Sequence, residues 1–153
     1  MSLEKKEIKI PPIKEGIAID HIPKNQALKV AQILNLGNEE GMVTLGMNLM
    51  SSKMKSKDVL KIEGRDLTDD ELNKISIVAP EATVSFIKDY KVEEKINVQL
   101  PKKVEKIVKC NNPRCITRHQ DVSTLFHVIG KNPLKLKCHY CEKIILKEEI
   151  ELI

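Results

Sequence analysis

A chain of 153 residues, 41% hydrophobic and 31% charged, has room for one domain or two small ones, and no apolar run approaches the ~20 residues of a membrane span. Its formal net charge of +4 comes from residues 103–153, with 10 Lys/Arg against 6 Asp/Glu, while residues 1–102 balance at 16 of each. The start, Met1-Ser2-Leu3-Glu4-Lys5-Lys6, lacks the apolar core of a secretory signal, so a cytoplasmic protein without a membrane partner is expected.

Gly16 opens the run Ile17-Ala18-Ile19-Asp20-His21-Ile22, whose alternation predicts a strand that Pro23 ends. From Lys24 to Leu36 the apolar positions 27, 30, 31 and 34 follow helical spacing, and Gly37 stops the helix. Val43, Leu45, Met47 and Leu49 alternate as a second strand. Val59 to Glu63 forms a third, joined to it as a hairpin across the polar loop Ser51 to Ser56. Thr68-Asp69-Asp70-Glu71 has the spacing of a capping box, and Leu72, Ile75 and Ala79 give the buried stripe of a second helix that Pro80 closes. Thr83 to Glu93, rich in Val, Phe, Ile and Tyr, reads as one strand, and the charged stretch from Glu93 to Pro101 as a linker. A further strand around Ile8 to Ile13 would flank the set. The order β-α-β-β-α-β is the ferredoxin-like unit, with helices covering one face of an antiparallel sheet.

All four cysteines lie beyond this unit. Cys110 and Cys115 enclose Asn111, Asn112, Pro113 and Arg114, and 22 residues later comes Cys138-His139-Tyr140-Cys141. Each pair is a tight loop that aims two sulfurs at one point, and two such pairs supply the thiolates of a tetrahedral zinc site. Both loops follow strand-like runs, Val104 to Lys109 and Leu134 to Lys137, the plan of a zinc ribbon. His139 or His119 could replace a sulfur, and buried free thiols or two disulfides are the competing readings, the disulfides disfavoured by the absence of any sign of an oxidising compartment. Four protein sulfurs leave no open position, so the zinc is read as structural. About 50 residues with so few aromatics cannot build a secure core alone. The expected architecture is therefore α+β: a ferredoxin-like domain over 1–100 and a small zinc-ribbon-like β domain over 103–153.

A basic zinc ribbon suggests nucleic acid, and a stand-alone module binding RNA or DNA is the alternative function. However, four thiolates on Zn²⁺ carry about −2, and Lys109, Arg114, Lys137 and Lys143 adjoin them. Phe126 and Tyr140, the only aromatics of this region, make no stacking platform. No phosphate-binding glycine loop and no Ser/His/Asp set is present, so no catalytic residues are expected. Lys61, Tyr90 and Lys95 lie on or near adjoining strands, where lysines suit phosphates.

Several segments, taken together and in order, resemble the regulatory chain of aspartate carbamoyltransferase. They are Ile17 to Pro23, Lys57 to Glu63, Ala79 to Val84, and Tyr90-Lys91-Val92 with Lys95, followed by the Cys-x4-Cys and Leu-Lys-Cys-x-Tyr-Cys-Glu patterns. The resemblance implies a non-catalytic allosteric subunit that pairs with a second regulatory chain, binds nucleoside triphosphates in its N-terminal domain, and docks its zinc domain on the catalytic chain. CTP and UTP would inhibit and ATP activate. It also implies a nucleotide site with Ile13 and Lys14 beside the base and Asp20 near the sugar. His21, Lys61 and Lys95 would lie toward ribose or phosphate, with Ile87, Tyr90 and Val92 as walls. Asn112 and Glu142 fall at positions facing the catalytic chain. Ser85 stands where the family often has Asn, and Arg114 where Asn is commoner.

Overall fold

The computed structural model describes residues 11–153, which divide between Gln99 and Leu100 into two compact units. The expected flanking strand around Ile8 to Ile13 begins outside the described residues, and residues 11–13 belong to no strand.

The larger unit is a five-stranded antiparallel sheet. Its strands are β1 (Gly16–Ile22), β2 (Val43–Ser51), β3 (Lys55–Glu63), β4 (Thr83–Lys88) and β5 (Lys91–Asn97), in the order β2-β3-β1-β4-β5. Helices α1 (Ala27–Ile33) and α2 (Asp69–Val78) follow β1 and β3. The first four strands and both helices reproduce the expected β-α-β-β-α-β order. In antiparallel pairs, partners in register share a face. Ile17 pairs Ile62 and Phe86, and Ile19 pairs Leu60 and Val84. Ile17, Ile19, Leu60, Ile62 and Val84 are fully buried, as are Ala27, Val30 and Ile75 from the helices. Strand alternation and helical spacing thus meet in one apolar layer, and the opposite face of the sheet stays free for polar side chains.

Local chemistry explains the boundaries. Thr68 caps α2 through a hydrogen bond from the Glu71 N–H, and Glu71 accepts in return from the Thr68 N–H, completing the capping box. Helix α1 is shorter than its apolar spacing suggests, and its own N-cap, Gln26, makes no side-chain cap. Asp58 of β3 does that work: fully buried, it accepts from the Ala27 N–H at 3.0 Å and from the Asn48 N–H at 3.0 Å. A carboxylate at a helix start meets orphan donors and the positive end of the dipole. Arg65 joins the two helices' ends, donating to the Leu34 carbonyl and to Glu39 and Glu71. Gly16 is obligatory: its φ is +143°, and a Cβ there would lie 2.1 Å from the Ile62 carbonyl oxygen.

Two expectations about the end of this unit are corrected. Thr83 to Glu93 is not one strand; Asp89 and Tyr90, with φ of 53° and 65°, form a two-residue hairpin turn between β4 and β5. The charged stretch read as linker is mostly β5, an edge strand whose lysines and glutamates stay in water while its backbone pairs with β4.

The smaller unit is a four-stranded antiparallel sheet in sequence order, β6 (Lys103–Glu105), β7 (Leu125–Lys131), β8 (Leu134–Cys138) and β9 (Ile144–Leu146). Strand β6 is shorter than the Val104 to Lys109 run. Beyond Glu105, Lys106 is left-handed at φ 62° and its N–H turns to the Thr124 carbonyl. Val104, Ile107, Val108, Phe126, Leu134, Leu136 and Ile145 are buried with Cys110, Cys115 and Cys138, so the cysteines are part of one small core. Among the described residues no helix is long and apolar enough to cross a membrane.

Candidate metal centre and ligand-binding face

Two knuckles bring the sulfurs together. In the first, the Cys115 N–H donates to the Asn112 carbonyl and the Arg114 N–H to Asn112 Oδ1, an Asx-type turn that curls the chain back. In the second, the Glu142 N–H reaches the Cys138 carbonyl, with Glu142 left-handed at φ 64°. The four sulfurs lie within 4.8 Å of one another. Cys110 and Cys141 are separated by 3.6 Å, and Cys115 and Cys138 by 3.7 Å. Two sulfurs about 2.3 Å from one ion at a tetrahedral angle are roughly 3.8 Å apart, whereas a disulfide needs about 2.05 Å. The cysteines are free thiols, and the donor set fits one structural zinc.

Neither histidine enters the set. His119 Nε2 contacts the Pro113 carbonyl at 2.6 Å, and His139 Nδ1 contacts His127 Nε2 at 2.9 Å. Burial pushes the Cys110 thiol up to about 12 and Cys138 upward also. Burial would raise Cys141 too, but hydrogen bonds from the Asn112 side chain and the Lys143 N–H bring it down to about 7. Loading zinc must therefore displace protons from the buried thiols, and metal affinity falls as pH falls.

Thr117, which sequence spacing did not single out, donates its hydroxyl to Cys115 Sγ at 3.2 Å. Partners of this kind orient a metal ligand. Thr117→Val should release zinc to a chromogenic chelator about tenfold faster, with Thr117→Ser restoring the slow rate. Equal release rates for all three would remove Thr117 from the support of the site.

Of the implied nucleotide residues, Asp20, Lys61, Ile87, Val92 and Lys95 share the helix-free face of the larger sheet. Register aligns Thr44, Lys61, Ala18, Ser85 and Lys95 in one row, with Asp20 and Thr83 in the next. On the other side Gly16 pairs Ile87, which pairs Val92. Val92 and Lys95 are three apart and would ordinarily face opposite ways. The register shift between Phe86 and Ile87 inserts one extra residue in β5 and returns both to this face. Lys61 Nζ lies 3.3 Å from the Pro11 carbonyl. His21, left-handed at φ 57° where β1 bulges, sets Nδ1 3.0 Å from Thr83 Oγ1.

Lys57 belongs to this cluster although sequence reading gave it no role. It lies two residues from Val59 and four from Lys61, on their face, and its ammonium is 2.9 Å from Asp20. Burial opposes ionisation of Asp20, but the Lys57 hydrogen bond, the His21 N–H and the Lys57 and His21 charges outweigh it and hold the carboxyl below its ordinary value. Ile13 is buried, and Lys14 is exposed with its carbonyl taken by the Tyr90 N–H. Tyr90 and Val92 are exposed at the hairpin. Asn112 is half-buried and turned into its own knuckle, while Glu142 is exposed, 3.7 Å from Lys137.

The described residues thus form an α+β unit with a lysine-bearing sheet face, followed by a small β unit with a four-cysteine metal site. Residues 8–99 match the family model for the aspartate carbamoyltransferase regulatory chain, allosteric domain, and residues 102–151 the one for its metal binding domain. The chain is 52% identical over 146 residues to the aspartate carbamoyltransferase regulatory chain of Pyrococcus abyssi, covering 94% of this chain and 96% of the relative. It is 46% identical over 145 residues to that of Thermococcus onnurineus, covering 94% and 96%. Against the Methanococcus maripaludis chain (strain DSM 14266) it is 46% identical over 141 residues, covering 92% and 95%. The chain belongs to the family of aspartate carbamoyltransferase regulatory chains and is a non-catalytic subunit.

Proposed function

We propose that this chain binds nucleoside triphosphates on the helix-free face of its larger unit and, by docking its metal unit on a catalytic chain of aspartate carbamoyltransferase, couples nucleotide levels to that enzyme's activity. The observation that carries the reading is the convergence of Lys57, Lys61 and Lys95 with one ionised carboxylate, Asp20, on a face bordered by Ile87 and Val92. Lysines meet a polyphosphate as point charges, a carboxylate accepts from ribose hydroxyls, and apolar rims suit a base. In this reading a second regulatory chain completes a homodimer, and Asn112 and Glu142 face the catalytic chain.

A nucleotide can regulate only through different affinities for two states of the assembly, and such couplings are typically about 1–3 kcal/mol. Inhibition by CTP or UTP and activation by ATP then differ in which state the nucleotide prefers, not in where it sits. Lys95→Ala, exposed on an edge strand, should weaken CTP and ATP binding about tenfold, the loss of one charge-assisted contact, while leaving assembly intact. Calorimetry on wild type and variant measures this; equal affinities would move the nucleotide elsewhere. The alternative of a stand-alone nucleic-acid module predicts binding to RNA or DNA that falls steeply with salt and ignores free CTP. The family assignment gives it no support.

A further inference from the structure

One short turn holds both ligating residues of the first knuckle. Directly after Cys115 the chain makes a single 3₁₀ turn, Ile116–Arg118. Thr117 meets Cys115 Sγ with its hydroxyl, and Arg118 reaches the two cysteines by their backbones. Its own N–H donates to the Cys115 carbonyl at 2.9 Å, and its guanidinium donates to the Cys110 carbonyl at 3.0 Å. The residue that closes the turn therefore fastens the start of the knuckle to its end.

Charge adds to this mechanical role. Four thiolates on one Zn²⁺ carry about −2, and a negative centre set in a small core needs positive charge or donors held close to it. The cations nearest to the sulfurs in sequence supply little of that. Lys109 is 3.4 Å from Glu151 and Lys137 is 3.7 Å from Glu142, so each is offset by a carboxylate. Arg114 and Lys143 meet the knuckles through backbone groups: the Arg114 N–H donates to Asn112 Oδ1, and the Lys143 carbonyl accepts from the Cys138 N–H. Among the described residues, Arg118 has no carboxylate partner and is the one side-chain cation hydrogen-bonded to a cysteine residue. It is exposed, where a freely moving charge would be screened, but its bond to Cys110 keeps it in place. A guanidinium is charged at every working pH and makes the stronger, charge-assisted kind of hydrogen bond.

We infer that Arg118 is a positioning residue of the metal centre: it holds Cys110 and Cys115 together through their carbonyls, and its charge offsets part of the negative charge that the four sulfurs bring to zinc. Zinc retention is what it controls, independently of nucleotide binding and of docking. Without it the sulfurs still converge on their backbone turns, but the metal leaves faster.

The full-length chain, loaded with zinc or with cobalt(II), would be compared as wild type, Arg118→Met, Arg118→Gln and Arg118→Lys. Methionine keeps the apolar stem, glutamine a donor without charge, and lysine the charge without the fork. Zinc release to a chromogenic chelator should be about tenfold faster for Met and Gln alike, with Lys recovering most of the difference. In the cobalt form the sulfur-to-metal charge-transfer band of Met and Gln should move to lower energy, because electrons leave sulfur more readily once a fixed cation beside it is gone. The d–d bands should keep their tetrahedral intensity. Wild-type release from Arg118→Met would overturn the assignment. Slow release from Gln, fast release from Lys or an unshifted charge-transfer band would overturn the electrostatic role. Loss of the tetrahedral bands would overturn it also, leaving Arg118 a residue that merely keeps the knuckle folded.

Discussion

Cys138→Ser, or removal of zinc by a strong chelator, is expected to unfold residues 100–153 while the larger unit keeps its sheet. The smaller unit buries a single aromatic, Phe126, and a handful of aliphatic side chains, among them Ile107, Leu134, Leu136 and Ile145, with three of its four cysteines buried among them. Structural zinc contributes about 10–16 kcal/mol in small modules at neutral pH, comparable to the whole stability of an ordinary domain at about 5–15 kcal/mol. Three sulfurs cannot recover that. Amide dispersion should collapse for residues beyond Leu100 and persist for the larger sheet, and size exclusion with a catalytic chain should show the regulatory chain eluting alone. Co-elution of a demonstrably zinc-free chain would refute docking through the metal unit. A native spectrum for Cys138→Ser would refute the larger claim that metal substitutes for a core. The same linkage makes acid a milder form of chelation, because protons compete for the sulfurs as pH falls.

In the larger unit the most damaging single change outside the apolar layer is expected at Asp58. Its carboxylate is fully buried and holds two backbone N–H groups, Ala27 at the start of α1 and Asn48 in the left-handed bend of β2. Asp58→Ala removes a helix cap and strands a second, part-buried donor, together about 2–3 kcal/mol. Asp58→Asn, which keeps one acceptor oxygen and adds an unpartnered amide, should recover part of that at most. Asp70→Ala is the fitting control: it breaks an exposed i,i+4 pair with Lys74 and should cost roughly 0.5 kcal/mol or less. Urea denaturation of the three variants separates these values. An Asp58→Ala midpoint as close to wild type as that of Asp70→Ala would mean that water satisfies both donors.

The order of strands and helices and the four sulfurs were legible because each is written in short-range spacing. Alternation marks Ile17 and Ile19 as inward, a Thr-x-x-Glu pattern announces α2, and paired cysteines in turn-forming loops converge whatever lies between them. Features that depend on a partner strand were not legible. Strand β5 has the composition of a linker, and only pairing with β4 makes it a strand. The Asp89-Tyr90 turn carries neither glycine nor proline, so nothing in its residues announces two consecutive left-handed conformations. Asp58 caps a helix 31 positions upstream, and Lys57 meets Asp20 across a bulge. Neither relation exists until β1 and β3 lie side by side.

The extra residue in β5 acts as a selector of sidedness. Deleting a single glutamate, Glu93 for instance, would restore regular alternation between Val92 and the remainder of the strand. Val92 and Lys95 would then stand two apart and still share a side, so the deletion would remove the bulge and its local twist without turning either residue over. The strand therefore tolerates loss of that residue, whereas one added between Val92 and Lys95 without a second bulge would set the two on opposite sides.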